Sequence, residues 1–316
     1  MKLQPAIEEY IAFRKSLGAR FTTYQKSLRQ FARLMGGERE TSEVQAAEVL
    51  AFLDGSGPLT SAWHVRYHAL VGFYRYALGR GYLTHSPLPT QTPKRPHIFI
   101  PYIYSREELR RLLEATTTCQ QGRKILPAET FRAILLLLYG AGLRHGEALS
   151  LKLADLDLAQ GILIIREAKF FKTRLIPLGK DLHQELKQYA TWRREAGHSQ
   201  SPESPFFVYR TGEAVHSHTL QEAFARLRKL AGIHRDDGAR YQPRLHDLRH
   251  AFAVHRLTAW YQNGADVQKL LPALSTYLGH DRLAATQIYL TMTPELLRAA
   301  NERFAQYVFG KEGTDE

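Results

Sequence analysis

The chain holds a single cysteine, Cys119, among 316 residues. That excludes a disulfide framework and a cysteine-based zinc site. Long apolar runs are also missing: the stretch Ile134–Tyr139 falls far short of the ~20 residues a membrane helix needs. The N-terminus, MKLQPAIEEYIAF, lacks the uninterrupted apolar segment of a signal peptide, because Glu8 and Glu9 break it. These absences lead to the expectation of a soluble protein in a reducing compartment, the cytoplasm, with no membrane partner.

Acidic charge is scarce as well. Asp and Glu number 31 against 43 Lys and Arg, a net charge of +12, and the pI is near 9.7. An excess of this size favours a polyanion as partner, above all nucleic acid. Residues 1–96 carry a net +6 and the remainder another +6. Both halves are basic, which suits a protein that embraces its ligand.

The first 90 residues read as four amphipathic helices with no strand pattern. Ile7, Tyr10, Ile11, Arg14 and Leu17 recur at helical spacing up to Gly18. A second helix runs from about Tyr24 to Met35. Ser42 and Gln45 suggest a capping box for a third, which ends near Asp54. A fourth begins behind Thr60-Ser61 and ends at Gly79 or Gly81. Its Trp63, Tyr67 and Tyr74 could stack on bases, but at this spacing they read as core. The expected domain is residues 1–88.

Residues 86–101 contain five prolines. Such a stretch is extended and semi-rigid, so 89–103 reads as an interdomain linker, with Lys94 and Arg95 able to touch a phosphate backbone. Ser105 and Glu108 form the capping box of the next helix. An apolar helix around Phe131–Tyr139 should be the core of a second domain, 104–292. Gly161–Glu167 and Phe170–Leu178 alternate as a β-hairpin, and Phe206–Tyr209 suggests a third short strand. From Ser217 the pattern is helical, ending with a tail helix, 293–316, that Thr293 and Pro294 begin. The expected fold class is mainly α: an all-helical N-terminal domain, then an α+β domain with a small antiparallel sheet.

Three segments carry candidate chemistry. In Gly142-Leu143-Arg144-His145-Gly146-Glu147, the glycines permit a tight turn that sets Arg144 at the mouth of a helix, where a guanidinium can fork onto two phosphoryl oxygens. In His246-Asp247-Leu248-Arg249-His250, the i, i+3 spacing puts His246 and Arg249 on one helix face. Leu278-Gly279-His280 is followed nine residues after the histidine by Tyr289. His64/His68, His216/His218 and His246/His250 invite a metal reading. None lies in an HExxH pattern and no Cys or acidic ligand stands at a suitable offset, so no metal is expected.

Taken in order, GLRxGE, HxLRH, LGH and a tyrosine nine residues on resemble the motifs of the phage-integrase, or tyrosine recombinase, family, over nearly the whole chain. The resemblance implies a core-binding domain followed by a catalytic domain, and a site-specific recombinase that joins DNA through a 3′-phosphotyrosyl intermediate and a Holliday junction. Tyr289 would be the nucleophile. Arg144, Arg249 and His280 would bind the scissile phosphate, His246 would assist proton transfer, and Glu147 would support the site. The family's lysine, the general acid, falls in the hairpin. Spacing of five residues before Arg174 selects Lys169, with Lys172 the alternative, because the usual neighbouring Gly is missing. Lys172 and Arg174 would also contact DNA. No cofactor is implied.

The implied partners are double-stranded recombination sites and a homo-tetramer on two of them, alone or with related recombinases, the tail helix docking between protomers. The resemblance begins at the core-binding domain, so a separate arm-site-binding domain is not expected. The long interval from Arg249 to His280, with QKLLPALSTY at 268–277, is more like recombinases that integrate, excise or transpose mobile elements than those that resolve chromosome dimers. Two other readings stay open: a non-cleaving DNA-binding accessory and a DNA-relaxing enzyme of the type IB topoisomerase kind.

Overall fold

The computed structural model describes residues 1–316 except 20, 95–99, 121–124, 167–172, 240, 281, 292–295, 299, 303 and 305–316. The chain divides into two compact units, Met1–Phe99 and Ile100–Glu316.

In the first unit, α1 (Leu3–Ser16), α2 (Thr22–Met35), α3 (Ala46–Asp54) and α4 (Ser61–Gly79) surround one apolar core. Leu3, Ile7, Leu28, Phe31, Leu70, Phe73 and Tyr74 are fully enclosed in it. Trp63 is buried and donates its indole N–H to Asp54 (2.8 Å), and Tyr67 stacks on it. The α4 aromatics are therefore packing groups. Thr60 caps α4 by accepting the Ala62 N–H. The third helix starts differently from the sequence expectation. Residues Thr41–Glu43 form a 3₁₀ turn, and the box closes one turn later, where Glu48 accepts the Gln45 N–H at 2.9 Å. Within the same unit the Tyr67 hydroxyl donates to the Pro89 carbonyl at 3.4 Å. Lys94 is exposed, and Arg95 is outside the described residues.

The second unit begins with α5 (Arg106–Gln120) and α6 (Ala128–Gly140). The capping box at α5 is formed: Ser105 N–H donates to Glu108, and Glu108 N–H to the Ser105 hydroxyl. Helix α6 is enclosed by neighbours along most of its length, as its run of leucines requires. Then come α7 (His145–Leu149), β1 (Leu156–Asp157), β2 (Ile162–Ile165), β3 (Arg174–Pro177), α8 (Lys180–Glu195) and α9 (Ser217–Leu230). The sheet is antiparallel in the order β1-β2-β3, with Leu163 opposite Ile176 and Ile165 opposite Arg174. Leu163, Ile165 and Ile176 point into the core. The third strand is thus β1, not Phe206–Tyr209. That segment makes only an isolated bridge, Val208 to Ala214, because its aromatic side chains are taken up by the core.

A second apolar cluster in this unit joins α10 (Asp247–Gln262), α11 (Val267–Leu278), Tyr289 and Leu296. Short α12 (Ala284–Gln287) leads into a 3₁₀ turn, Ile288–Thr291. The cap expected at Thr293 and Pro294 lies outside the described residues. Just beyond, Leu296 is buried, while Leu297 and Phe304 are exposed. Among the described residues no helix is long and apolar enough to cross a membrane.

Candidate active site

The site is assembled where α6 ends, α10 begins and α11 ends. After α6 the chain reverses at Gly142, whose φ of +60° places it in the left-handed region. A Cβ there would lie 2.4 Å from the Phe252 ring, so only glycine fits both the conformation and the space. This turn delivers Arg144 to the N-cap of α7, as its sequence context suggests.

Helix α10 starts with Asp247, fully buried, which accepts the Arg244 N–H at 2.8 Å. His246 precedes it, Arg249 follows on the inward face, and His250 is one turn on from His246. Helix α11 ends in the left-handed Gly279, which turns the chain to His280.

A helix C-terminus leaves unpaired carbonyls carrying partial negative charge. Here three consecutive ones each receive a different arginine. Arg174 Nε donates to Tyr277 O (3.0 Å), Arg249 Nη2 to Leu278 O (2.6 Å) and Arg144 Nη2 to Gly279 O (2.8 Å). Arg249 also donates to Gly142 O at 2.7 Å, which ties the two turns together. Glu147 links the other two guanidinium groups. It accepts Arg144 Nη1 at 2.8 Å and both Arg174 Nη atoms at 3.1 and 2.8 Å, and its carboxylate also takes the Arg144 N–H.

The electrostatics follow from this packing. Burial pushes the Glu147 carboxyl up, but Arg174 and Arg144 outweigh it and hold the group at about 2. Arg249 is 1% exposed. Burial, and then Arg144, bring its guanidinium down to about 10, so it stays charged at neutral pH. Arg144 is the most open of the three arginines, with about a third of its side chain in solvent. The cluster is a preorganised cationic surface.

Tyr289 sits beside it in the 3₁₀ turn, 2% exposed. Its ring stacks on His280 (6.1 Å between centroids), and its hydroxyl lies 3.1 Å from His250 Nδ1. His250 in turn meets the His246 ring edge-on at 4.9 Å. His280 is held by Thr286 Oγ1 at 2.7 Å from its Nδ1. Burial raises the Tyr289 hydroxyl above the usual phenol range, against the opposing pull of Arg249 and Arg144. Burial lowers His246 and His250 to about 4 each, assisted at His246 by His250 and Arg249, and at His250 by Arg249, Arg244 and His280. Both imidazoles are neutral at pH 7.

Arg144, Glu147, His246, Arg249, His280 and Tyr289 are therefore brought together from segments far apart in the chain. Arg174, expected as a DNA contact, is instead turned inward, with its side chain 10% exposed and its guanidinium engaged by Glu147 and Tyr277 O. Lys169 and Lys172 lie outside the described residues. The His246/His250 pair is a ring contact, and among the described residues no group of three potential ligands could hold a metal ion. Sequence reasoning missed the His250–Tyr289 contact, although the i, i+4 spacing of the two histidines was a signal.

This geometry meets close likenesses among known proteins. The phage integrase family model matches residues 104–295. A Sinorhizobium fredii protein provisionally named integrase/recombinase y4rB is 35% identical over 301 residues, covering 94% of this chain and 95% of that protein. Tyrosine recombinase XerC of Chlorobaculum tepidum is 31% identical over 310 residues, covering 88% and 86%. In fold, the Tn1549 transposon integrase bound to transposon right-end DNA gives a TM-score of 0.69 at 16% identity, covering 96% of this chain and 100% of that one. A lambda integrase dimer bound to a COC′ core site gives 0.62 at 19% identity, covering 90% and 96%. The chain belongs to the phage integrase family and is a DNA-breaking and rejoining enzyme of the tyrosine recombinase type.

Proposed function

We propose that this enzyme is a site-specific recombinase of a mobile element, with Tyr289 as its nucleophile. The observation that carries the mechanism is the convergence of Arg144, Arg249 and His280 around one buried tyrosine. Fixed donors of this kind stabilise charge where it develops, without reorganisation at the moment of reaction. The Tyr289 Oη–phosphorus bond forms as the bond to the 5′-oxygen breaks, leaving a 3′-phosphotyrosyl link. Because the ester keeps the bond energy, rejoining needs no nucleotide. A 5′-hydroxyl of the partner duplex then displaces the tyrosine, and two exchanges pass through a Holliday junction.

Glu147 acts here through Arg144 and Arg174 as a positioning residue. Lys169 is the acid toward the 5′-oxygen, and Lys94, Arg95 and Lys172 are backbone contacts. The long Arg249–His280 interval supports the mobile-element reading. The setting is a homo-tetramer on two double-stranded sites in the cytoplasm, with or without related recombinases. The tail joins protomers: residues 290–316 carry a net charge of −2 in a basic chain, and Leu297 and Phe304 are exposed. An acidic segment with apolar side chains suits a protein groove better than phosphate.

The deciding experiment incubates the protein with DNA flanking its own gene and maps the phosphotyrosine. Cleavage should persist in excess EDTA, since arginine and histidine supply the charge; strict dependence on a divalent ion contradicts the mechanism. Lys169→Ala should cleave ordinary DNA slowly, on the order of 10²-fold below wild type. A 5′-bridging phosphorothiolate should restore it, because sulfur leaves without a proton. Rescue of Lys172→Ala alone would move the assignment to that residue.

A further inference from the structure

Resting on the reading of Tyr289 as nucleophile, we propose that His250, and not His246, takes the proton from the Tyr289 hydroxyl as it attacks phosphorus. The tyrosine is withdrawn from water, so its hydroxyl must find a partner within the protein. Arg249 interacts with the phenol oxygen, and His250 Nδ1 stands 3.1 Å from it as the group able to accept its proton. The His246 ring meets the edge of His250, 4.9 Å between centroids.

The direction of the hydrogen bond follows from the charges around His250. It faces His246 and Arg249 on α10, Arg244 just before it and His280 beyond α11, besides Tyr289 itself. Burial first, then Arg249, Arg244 and His280, keep the imidazole uncharged at neutral pH. The phenol, raised by burial, is protonated there. A neutral imidazole next to a protonated phenol accepts through its bare nitrogen, so Tyr289 O–H donates to Nδ1 and the ring proton resides on Nε2. The lone pair is thus already aimed at the proton that must leave.

The step balances without a further reactant. As Oη bonds to phosphorus, its proton moves to His250 Nδ1, and the 5′-oxygen departs with a proton from the hairpin acid. In rejoining, the incoming 5′-hydroxyl gives its proton back to the hairpin residue as its oxygen displaces Tyr289, and His250 returns the proton to Oη. An entering phosphate diester adds negative charge among Arg144, Arg249 and His250. That favours the imidazolium which the step creates.

The test is single-turnover cleavage of a nicked duplex carrying the mapped site. His250→Asn keeps a hydrogen-bonding group near the Nδ1 position but cannot accept the proton. It should bind DNA as wild type does and cleave about 100-fold more slowly. Trifluorotyrosine placed at position 289 ionises more readily, and should restore most of that loss. His246→Asn should not respond to it. If His250→Asn cleaves within threefold of wild type, or if the fluorinated residue rescues only His246→Asn, the assignment is overturned. Nitrogen-15 histidine NMR of the unmodified protein gives a check that no substitution can disturb, and a proton found on His250 Nδ1 would overturn it equally. The wild-type adduct is the control: its absence at Tyr289 would defeat the nucleophile reading, whereas its presence with an indifferent His250 would defeat only this one.

Discussion

Tyr289→Phe is expected to leave the protein folded and bound to DNA, yet to yield no covalent adduct under conditions where wild type traps the cleaved strand. The ring of Tyr289 packs in the cluster of α10 and α11 and stacks on His280, and phenylalanine keeps those contacts. The lost hydroxyl removes one hydrogen bond and leaves His250 Nδ1 short of a partner, which costs about 1–3 kcal/mol. That is bearable for a unit of this size. The chemical loss is total, because phenylalanine has no oxygen with which to form the phosphotyrosyl ester. Tyr277 is the nearest rival in sequence, but its ring stacks on Phe252 and its carbonyl holds Arg174. Detergent-resistant protein–DNA adducts, followed by peptide mapping, measure the outcome. An adduct that survives the substitution, or one that maps to Tyr277, would sink the assignment.

Much of the architecture was legible in the sequence because its signals are local. Thr60 and Ser105 with Glu108 announce helices by side chains that bond to backbone within a few residues. The leucines of α6 announce burial by their density. Arg144, Arg249, His280 and Tyr289 were legible because each lies in a short motif. Where two local solutions compete, spacing alone chose wrongly: Gln45 with Glu48 won over Ser42 with Gln45 once a 3₁₀ turn occupied Thr41–Glu43. Strand β1 is two residues long, too short to show any alternation.

What periodicity cannot give is the partner of a side chain across the fold. Arg174 stands beside the hairpin's lysines in sequence, which suggested a phosphate contact. In space it faces Glu147, 27 residues earlier, and Tyr277, 103 residues later. The same limit hid His250, whose role depends on a residue 39 positions away. The four motifs name the groups, but the three arginines on successive carbonyls explain why these groups hold their places.

Gly142→Ala should be the most damaging single methyl in the catalytic unit. Its φ of +60° costs an L-residue roughly 1–2 kcal/mol. The new Cβ would also stand 2.4 Å from Phe252 Cδ1 and 3.0 Å from Leu278 Cδ2, closer than packed carbon atoms come. Both are buried side chains in the interior of a helix pair, so neither can swing away freely. Overpacking of this kind costs about 1–3 kcal/mol. Together the terms predict roughly 2–5 kcal/mol, and at about 2–4 °C per kcal/mol a melting point lower by ~4–20 °C. Activity should fall further than stability implies. Gly142 O is an acceptor of Arg249, and Leu278, which the methyl presses, provides the other. A displacement of ~1 Å at such a support can cost on the order of 10²-fold in rate. Gly146→Ala is the matched control. It lies in α7 with no positive φ and nothing within 4 Å of its Cβ, so it should leave stability unchanged or raise it by about 0.4–1 kcal/mol. Calorimetry and single-turnover cleavage on the two variants separate the effects. A Gly142→Ala protein that melts and cleaves like Gly146→Ala would mean that this turn does not hold Arg249 in position.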